Sequence, residues 1–532
     1  MSNKKLSILF VLTAALLSAC GGGESSSQTV SNDSAPTWIQ GVFASESNFK
    51  NRCEAPRTGI DINGDSYTDQ TGSKLYEKHW LRSWSNNTYL WYDEIVDSNP
   101  ATTPTAISEP EDYFSTLKTT ALTTSGRARD RFHFAQDTTE YQQQTSGGAT
   151  LSYGARLSLL SATPPREARI AYIEPNSPAA AANLSRGAEI ITIDGVNFVN
   201  GADTATLNAG LFPKTDGETH TFIVRDLGQT DTRTVVLQAQ VVTSEPVKGT
   251  RVINTPSGKV AYLALNTFGT RSSEAALVNA FTQLAAHAPD DLVIDLRYNG
   301  GGFLAISAQL GHMIAGSALS GGRVFEKTVF NSKHKTVNPV TGEAINPLPF
   351  IDQTIGFSVT ASQSLPSLNL NRVFVLSSGS TCSASESLIN GLRGIDVDVV
   401  LIGGTTCGKP YAFYSTDNCG VTYSTIQFRG ENEKGFGDYA DGFSPINATG
   451  SVIGERIQGC QVTEDILHPL GDEQEIMLKA ALDYRETGLC PAVVAERGVA
   501  IDVEGDLRND PRIIRRELLE QIRMDNLRLA KQ

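Results

Sequence analysis

Positive charge is what this sequence has too little of: 44 Lys and Arg stand against 58 Asp and Glu, a formal charge of −14. A chain of that sign is not built to hold nucleic acid or an anionic bilayer by charge, so no nucleic-acid partner is expected. The seven cysteines include no C-x-x-C pair and the seven histidines sit in no recognisable metal spacing, so no metal site and no cofactor are expected. The dinucleotide signature G-x-G-x-x-G and the hydrolase elbow G-x-S-x-G are absent, as is any repeat of fixed period. What remains is 532 residues, 40% hydrophobic, long enough for several domains with real cores. A disulfide miniprotein, a collagen and a wholly disordered chain are excluded.

The first segment accounts for the odd cysteine. Lys4 and Lys5 precede an apolar run from Leu6 to Ala19, too short to cross a bilayer, which takes about 20 residues, but right for a secretory signal. It ends in Leu17-Ser18-Ala19-Cys20, which resembles the lipobox of bacterial lipoproteins, where the cysteine is lipidated after cleavage. Gly21 to Ser27 then reads as a flexible tether. The resemblance implies a signal peptide over 1–19, a tether over 20–36, lipidation at Cys20 and anchoring to the bacterial envelope facing the periplasm. Gly21, with no Asp there, favours the outer membrane within that family's sorting pattern. Cys53, Cys382, Cys407, Cys419, Cys460 and Cys490 remain, an even set in a compartment that permits disulfides. Cys407 with Cys419 and Cys460 with Cys490 are the local pairings to expect.

Lys74 to Ile95 carries Leu75, Trp80, Trp84, Tyr89 and Tyr92 at spacings of three to five, the pattern of an amphipathic helix with a break near Asn86-Asn87. A Pro/Thr/Ser-rich loop and a shorter helix near Asp112 to Lys118 complete a mainly helical N-terminal domain over 37–146. From Gly147 the pattern changes to short strands and turns: Thr150 to Leu157, Ala168 to Ile173, a short helix opened by Ser177-Pro178, and a hairpin turning at Asp194-Gly195. The order over 147–244 resembles a PDZ domain, with Ser152, Tyr153, Gly154 and Ala155 where that family binds a peptide carboxylate. From about Val247 strand and helix alternate: Val260–Leu265, Ser272–Ala286, Leu292–Leu296, Gly302–Ala315, Arg372–Ser377, Ser383–Arg393, Val397–Ile402 and Asp472–Glu486. That alternation predicts an α/β core with partly parallel pairing over 245–492. In the last segment, 493–532, Ile514, Leu518 and Ile522 mark a basic amphipathic helix that suits docking on the protein's own body.

Three segments carry chemistry. Ser380 to Glu386 (STCSASE) joins a buried strand to a helix, where a nucleophile meets the positive end of the helix dipole and free N–H groups. Ser383-x-x-Glu386 is equally a capping box with no catalysis in it. Asp295 to Gly302 (DLRYNGGG) is a glycine turn whose backbone can approach a ligand. In Gly403 to Pro410 (GGTTCGKP) the P-loop spacing is met, but Pro410 replaces the magnesium-binding hydroxyl and no helix pattern follows. Lys409 among strand residues and glycines is placed for burial, which lowers its pKa toward that of a neutral base, and with Ser383 it would form a Ser-Lys nucleophilic pair. Cys382 is an alternative nucleophile one place off the motif. His133 reads as a packed or surface residue, and Asp61 to Asp65 with Asp69 as a solvated turn, since its glycine falls two places early for an EF-hand.

Taken together, DLRYNGGG (295–302), SASE (383–386) and GK (408–409), behind a PDZ-like segment, resemble the carboxyl-terminal processing peptidases, or tail-specific proteases, over about residues 150–490. The resemblance implies a multidomain α/β protein: helical N-terminal domain, PDZ-like domain and a protease core of the ClpP/crotonase-like type. It implies Ser383 as nucleophile, Lys409 as general base, and an oxyanion hole from the N–H groups of Ala384 and of Gly301 or Gly302. It also implies polypeptide substrates, with the PDZ-like domain binding their C-terminal tails or gating the active site. Two departures stand out. The Ser-to-Lys interval is about one residue longer than usual, and Phe413 stands where members often carry a lysine-orienting Gln, a role Gln427 or another polar group would have to take. The competing expectation is a non-catalytic periplasmic peptide-binding lipoprotein in which SASE only caps a helix.

Overall fold

A computed structural model describes residues 35–491, apart from 63, 103–107, 148 and 162–163. The signal, the lipobox with Cys20, the tether up to residue 34 and the C-terminal tail lie outside the described residues. The described residues from Trp38 onward form one compact unit. No described helix is long and apolar enough to cross a membrane.

The centre is a six-stranded sheet in the order Val247–Thr255, Gly258–Leu265, Asp291–Asp295, Arg372–Ser377, Asp398–Gly403 and Gly459–Gln461. The first pair is antiparallel and the rest are parallel. Parallel strands are covered on both faces, so they read as unbroken apolar runs such as VAYLAL and RVFVLS. Alternate side chains serve opposite layers. Ala261, Leu263, Val373, Val375 and Leu401 pack under Ser272–Ala285, Leu304–Ser320 and Ala384–Gly394, the helices on one face. Val260, Tyr262, Val293, Phe374 and Val400 face the helix Ile476–Thr487. That last helix is closed at both ends: the Glu475 carboxylate accepts from the Leu478 N–H, and Gly488 takes a left-handed conformation.

The middle region holds a second sheet in the order Arg233–Gln238, Thr219–Arg225, Glu189–Ile193, Glu167–Ile173 and Ala155–Ser161. Ser177 caps the short helix Pro178–Ala181, and Asp194 and Gly195 both have positive φ, as a two-residue hairpin demands. The stretch Thr150 to Leu157, expected as one strand, is two. Ala149–Ser152 pairs with Gln240–Thr243, and Ala155 starts a strand of the other sheet. Gly154 breaks it, at φ +74°, where an added Cβ would meet the Ser177 Cβ at 2.1 Å.

In the N-terminal region the aromatic helix is Lys74–Thr88, ending at the expected break, and Trp80, Trp84 and Tyr89 are core. The short helix is Pro110–Ser115. The region is not purely helical: Phe134–Asp137 is a strand that pairs with Val421–Ser424. Asp61 forms a turn, its carboxylate accepting the Asp65 N–H, and Asp69 is held by Arg57.

The disulfides are Cys53–Cys419, Cys382–Cys407 and Cys460–Cys490. The last agrees with expectation, whereas the expected Cys407–Cys419 pair does not form. Short sequence separation favours it, but the Cys407 N–H sits on the Thr381 carbonyl at 3.0 Å, beside Cys382, while Cys419 meets Cys53.

Candidate active site

The strand Arg372–Ser377 ends at the middle of the sheet, and the chain turns sharply through residues 378–383 into the helix Ala384–Gly394. Ser383 is the pivot, with φ +57°, a conformation that costs a non-glycine residue about 1–3 kcal/mol and persists only where its surroundings fix it. They do so from the glycine turn. The Asn299 carbonyl accepts from the Cys382 N–H at 3.1 Å and the Ser385 hydroxyl at 3.0 Å, and the Leu296 carbonyl accepts from the Thr381 hydroxyl at 2.8 Å.

The glycine turn is itself braced from below. Arg297, fully buried, donates to Asp295 and in a two-pronged pair to Glu475 at 2.7 and 2.9 Å. The two carboxylates raise the guanidinium's pKa against burial. Gly301 stands against the serine: a Cβ there would lie 2.7 Å from the Ser383 Cβ and 2.9 Å from the Ala384 nitrogen. Its own N–H donates to the Asn299 side chain at 2.9 Å. Gly302, at φ +137°, packs on the backbone of Phe268, where a side chain would collide at 2.2 Å.

Glu386 joins the serine turn to the lysine loop. Its buried carboxylate accepts from the N–H groups of Ser383 at 3.0 Å, Gly408 at 2.8 Å and Lys409 at 2.8 Å, and from the Thr406 hydroxyl. Burial pushes this carboxyl up, and the four donors pull against that shift. The capping-box spacing signalled half of this arrangement; its reach to residues 406–409 had no sequence signal.

Lys409 is 1% exposed. Burial lowers its pKa from 10.5 to about 7 against the opposing pull of Asp130 and Glu386. Its ammonium lies 4.8 Å from the ring centre of Phe132 and 4.7 Å from that of Phe413. Phe413 therefore lines the lysine, and the Gln427 side-chain oxygen accepts the Tyr414 N–H at 2.7 Å. Phe132 belongs to an N-terminal segment that clamps the loop: Arg131 donates to the Cys407 carbonyl at 2.8 Å and Arg127 to the same oxygen at 3.2 Å. These residues escaped the sequence reading because no spacing rule links positions 277 residues apart, as Arg131 and Gly408 are.

Other candidates take lesser places. Cys382 and Cys407 are joined to each other, which removes Cys382 as a nucleophile. Among the described residues, Cys382, Glu386 and Cys407 are the group whose atoms could gather about a metal ion, but both sulfurs are committed to the disulfide and the carboxylate to its donors. His133 is packed, its ring nitrogens meeting Thr425 and the Phe114 carbonyl, and burial lowers its pKa to about 4. In the middle region Tyr153 is buried, Gly154 donates to the Ser152 hydroxyl at 3.2 Å, and Ala155 opens the edge strand of its sheet.

The glycine turn, the serine turn and the lysine all fall within one segment with known relatives. Residues 259–417 match the model of Peptidase family S41. A chloroplastic C-terminal processing peptidase from Tetradesmus obliquus is 30% identical over 149 residues, 26% of this chain and 32% of that protein, so the match spans about a third of the relative's length. A crystal structure of a Bacteroides fragilis protein assigned to the S41 proteases is 22% identical, with a TM-score of 0.58, covering 77% of this chain and 97% of that one. Its likeness shows that the chain has the multidomain α/β fold found in S41 proteases. The photosystem II D1 C-terminal processing protease aligns at 19% identity and a TM-score of 0.41, over 71% of this chain and 92% of that one.

Proposed function

We propose that the protein is a serine endopeptidase using a Ser383-Lys409 pair. The observation that carries this reading is a buried lysine with a pKa near 7 whose backbone hangs from the same carboxylate as a strained serine at a helix N-terminus. Neutral Lys409 takes the Ser383 hydroxyl proton as the oxygen attacks a peptide carbonyl. The lysine ammonium returns that proton to the departing amine, and water, deprotonated by the same lysine, releases the acyl group. The Ala384 N–H, at the start of the helix, and the Gly302 N–H form the oxyanion hole. Gly301, whose N–H is given to Asn299, admits the substrate carbonyl by lacking a side chain.

Substrates are polypeptides, taken by their C-terminal tails along the edge strand Ala155–Ser161 of a PDZ-like middle region, where Ser152 to Ala155 form the carboxylate loop. Residues 1–20 send the chain to the bacterial envelope and anchor it through Cys20, facing the periplasm and favouring the outer membrane. Three disulfides suit such an oxidising compartment.

One observation favours a second reading, a peptide-binding lipoprotein without catalysis: Ser383 is only 4% exposed and sits in a satisfied helix cap. Digestion of an unfolded polypeptide by the full chain separates the two. Ser383→Ala and Lys409→Ala should each lower the rate by about 10³-fold or more. Cleavage at the parent rate by either variant rules out the pair.

A further inference from the structure

The disulfide Cys382–Cys407 lies inside the catalytic constellation, unlike the other two. Cys382 directly precedes the serine, Cys407 stands two residues before the lysine, and their Cα atoms are 5.2 Å apart. The Cys407 sulfur is 3.4 Å from the Glu386 carboxylate that holds both backbones. Residues 404–410 have no regular secondary structure. Apart from the disulfide, the loop's ties to the serine turn are the Cys407 N–H on the Thr381 carbonyl at 3.0 Å and, on Glu386, the Gly408 and Lys409 amides and the Thr406 hydroxyl. On its far side it meets Arg127, Arg131 and Phe132.

Two features of the site depend on this junction staying tight. A non-glycine residue at φ +57° stays there only while its neighbours are pinned, and Cys382 is the neighbour. A lysine stays neutral near pH 7 only while water is kept from it, and Cys407 anchors its loop. The charged groups that face this lysine are Asp130, Glu386 and Arg131, and the disulfide bears no charge of its own.

We propose that the Cys382–Cys407 disulfide is a positioning device for the Ser383-Lys409 pair and that the peptidase is active only while it is oxidised. The inference rests on the catalytic reading above. A dithiol reductant opens the bond by thiolate attack at Cys407, 7% exposed against 0% for Cys382. The two electrons leave Cys382 and Cys407 as thiols, and the reductant's two thiols become its own disulfide. The loop then relaxes, water reaches Lys409, and the serine turn loses its lock. Reoxidation reverses the step.

The test compares the full-length parent, Cys382→Ser/Cys407→Ser and Cys460→Ser/Cys490→Ser in cleavage of an unfolded polypeptide across pH, with and without dithiothreitol. The inference predicts a kcat lowered on the order of 10- to 100-fold in Cys382→Ser/Cys407→Ser, with an acid limb moved up by about half a pH unit or more. The Cys460→Ser/Cys490→Ser variant should keep parent activity. Dithiothreitol should bring the parent down to the Cys382→Ser/Cys407→Ser level as thiols appear at both positions. Parent kcat and an unmoved acid limb in Cys382→Ser/Cys407→Ser overturn the inference; if Ser383→Ala is inactive in the same assay, the catalytic reading stands without it. If Ser383→Ala cleaves normally, the catalytic reading falls and the inference falls with it. Should Cys382→Ser/Cys407→Ser fail to fold, the folded parent decides. Activity lost in step with reduction, with faster amide exchange at Ser383, Gly408 and Lys409, supports the inference. Activity retained after alkylation of both thiols refutes it.

Discussion

A lysine closed off from water and placed between two aromatic rings is costly to the fold while it is charged, so Lys409 points to selection for something other than stability. With the folded pKa near 7 and the ordinary value at 10.5, the folded chain binds fewer protons than the unfolded chain between those limits. Stability from this group therefore rises with pH across that window, and the full penalty applies below it. Lys409→Met should raise the melting temperature at pH 6–7, by an amount equivalent to about 1–4 kcal/mol, with the gain vanishing above the ordinary lysine value. The same change removes the base, so a more stable and inactive protein is expected from calorimetry and a peptidase assay. Gly301→Ala makes the opposite point. Its Cβ would press on Ser383 at 2.7 Å from a backbone at φ +110°, so a loss of activity of about 10²-fold or more is expected with the fold retained by circular dichroism.

Among the elements, the strands and helices of the core were legible because their apolar runs are long and their breakers clear, as in LVIDL followed by a glycine turn. Boundaries slipped where capping decided them: the last helix starts at Ile476 rather than Asp472 because Glu475 caps it. Thr150 to Leu157 looked continuous because alternation survives a kink that only Gly154 reveals. The serine and lysine were legible as motifs, but the elements that close over the lysine were not. The segment carrying Arg127, Arg131 and Phe132 reaches it from far along the chain, and nothing in RFHF announces a lysine partner. Phe132→Ala opens this lining to water, so the lysine pKa should rise and the acid limb of kcat against pH should move up from about 7. An unmoved limb would show that Phe413 and the loop alone keep the lysine dry.

Across the whole molecule, the N-terminal region is built into the core rather than tethered to it. Cys53 and Cys419 join positions 366 residues apart, and Trp80 and Trp84 pack with Tyr423. The middle region is tied in as well: Arg186 donates to the Tyr298 hydroxyl at 2.7 Å and to the His468 carbonyl at 2.8 Å, reaching the motif that carries the glycine turn. Cys53→Ser/Cys419→Ser should lower the unfolding free energy by about 2–5 kcal/mol in denaturant titration, with activity per folded molecule unchanged, since this bond joins neither the serine turn nor the lysine loop. The Ser383-Lys409 pair is tested most directly by mass-spectrometric mapping of the covalent adduct left by a serine-directed fluorophosphonate, with its rate followed across pH in the parent and in Lys409→Ala. One adduct is expected, on Ser383, forming faster as pH rises through about 7 and suppressed in Lys409→Ala. An adduct elsewhere, or labelling of Ser383 at the same rate without the lysine, would contradict it.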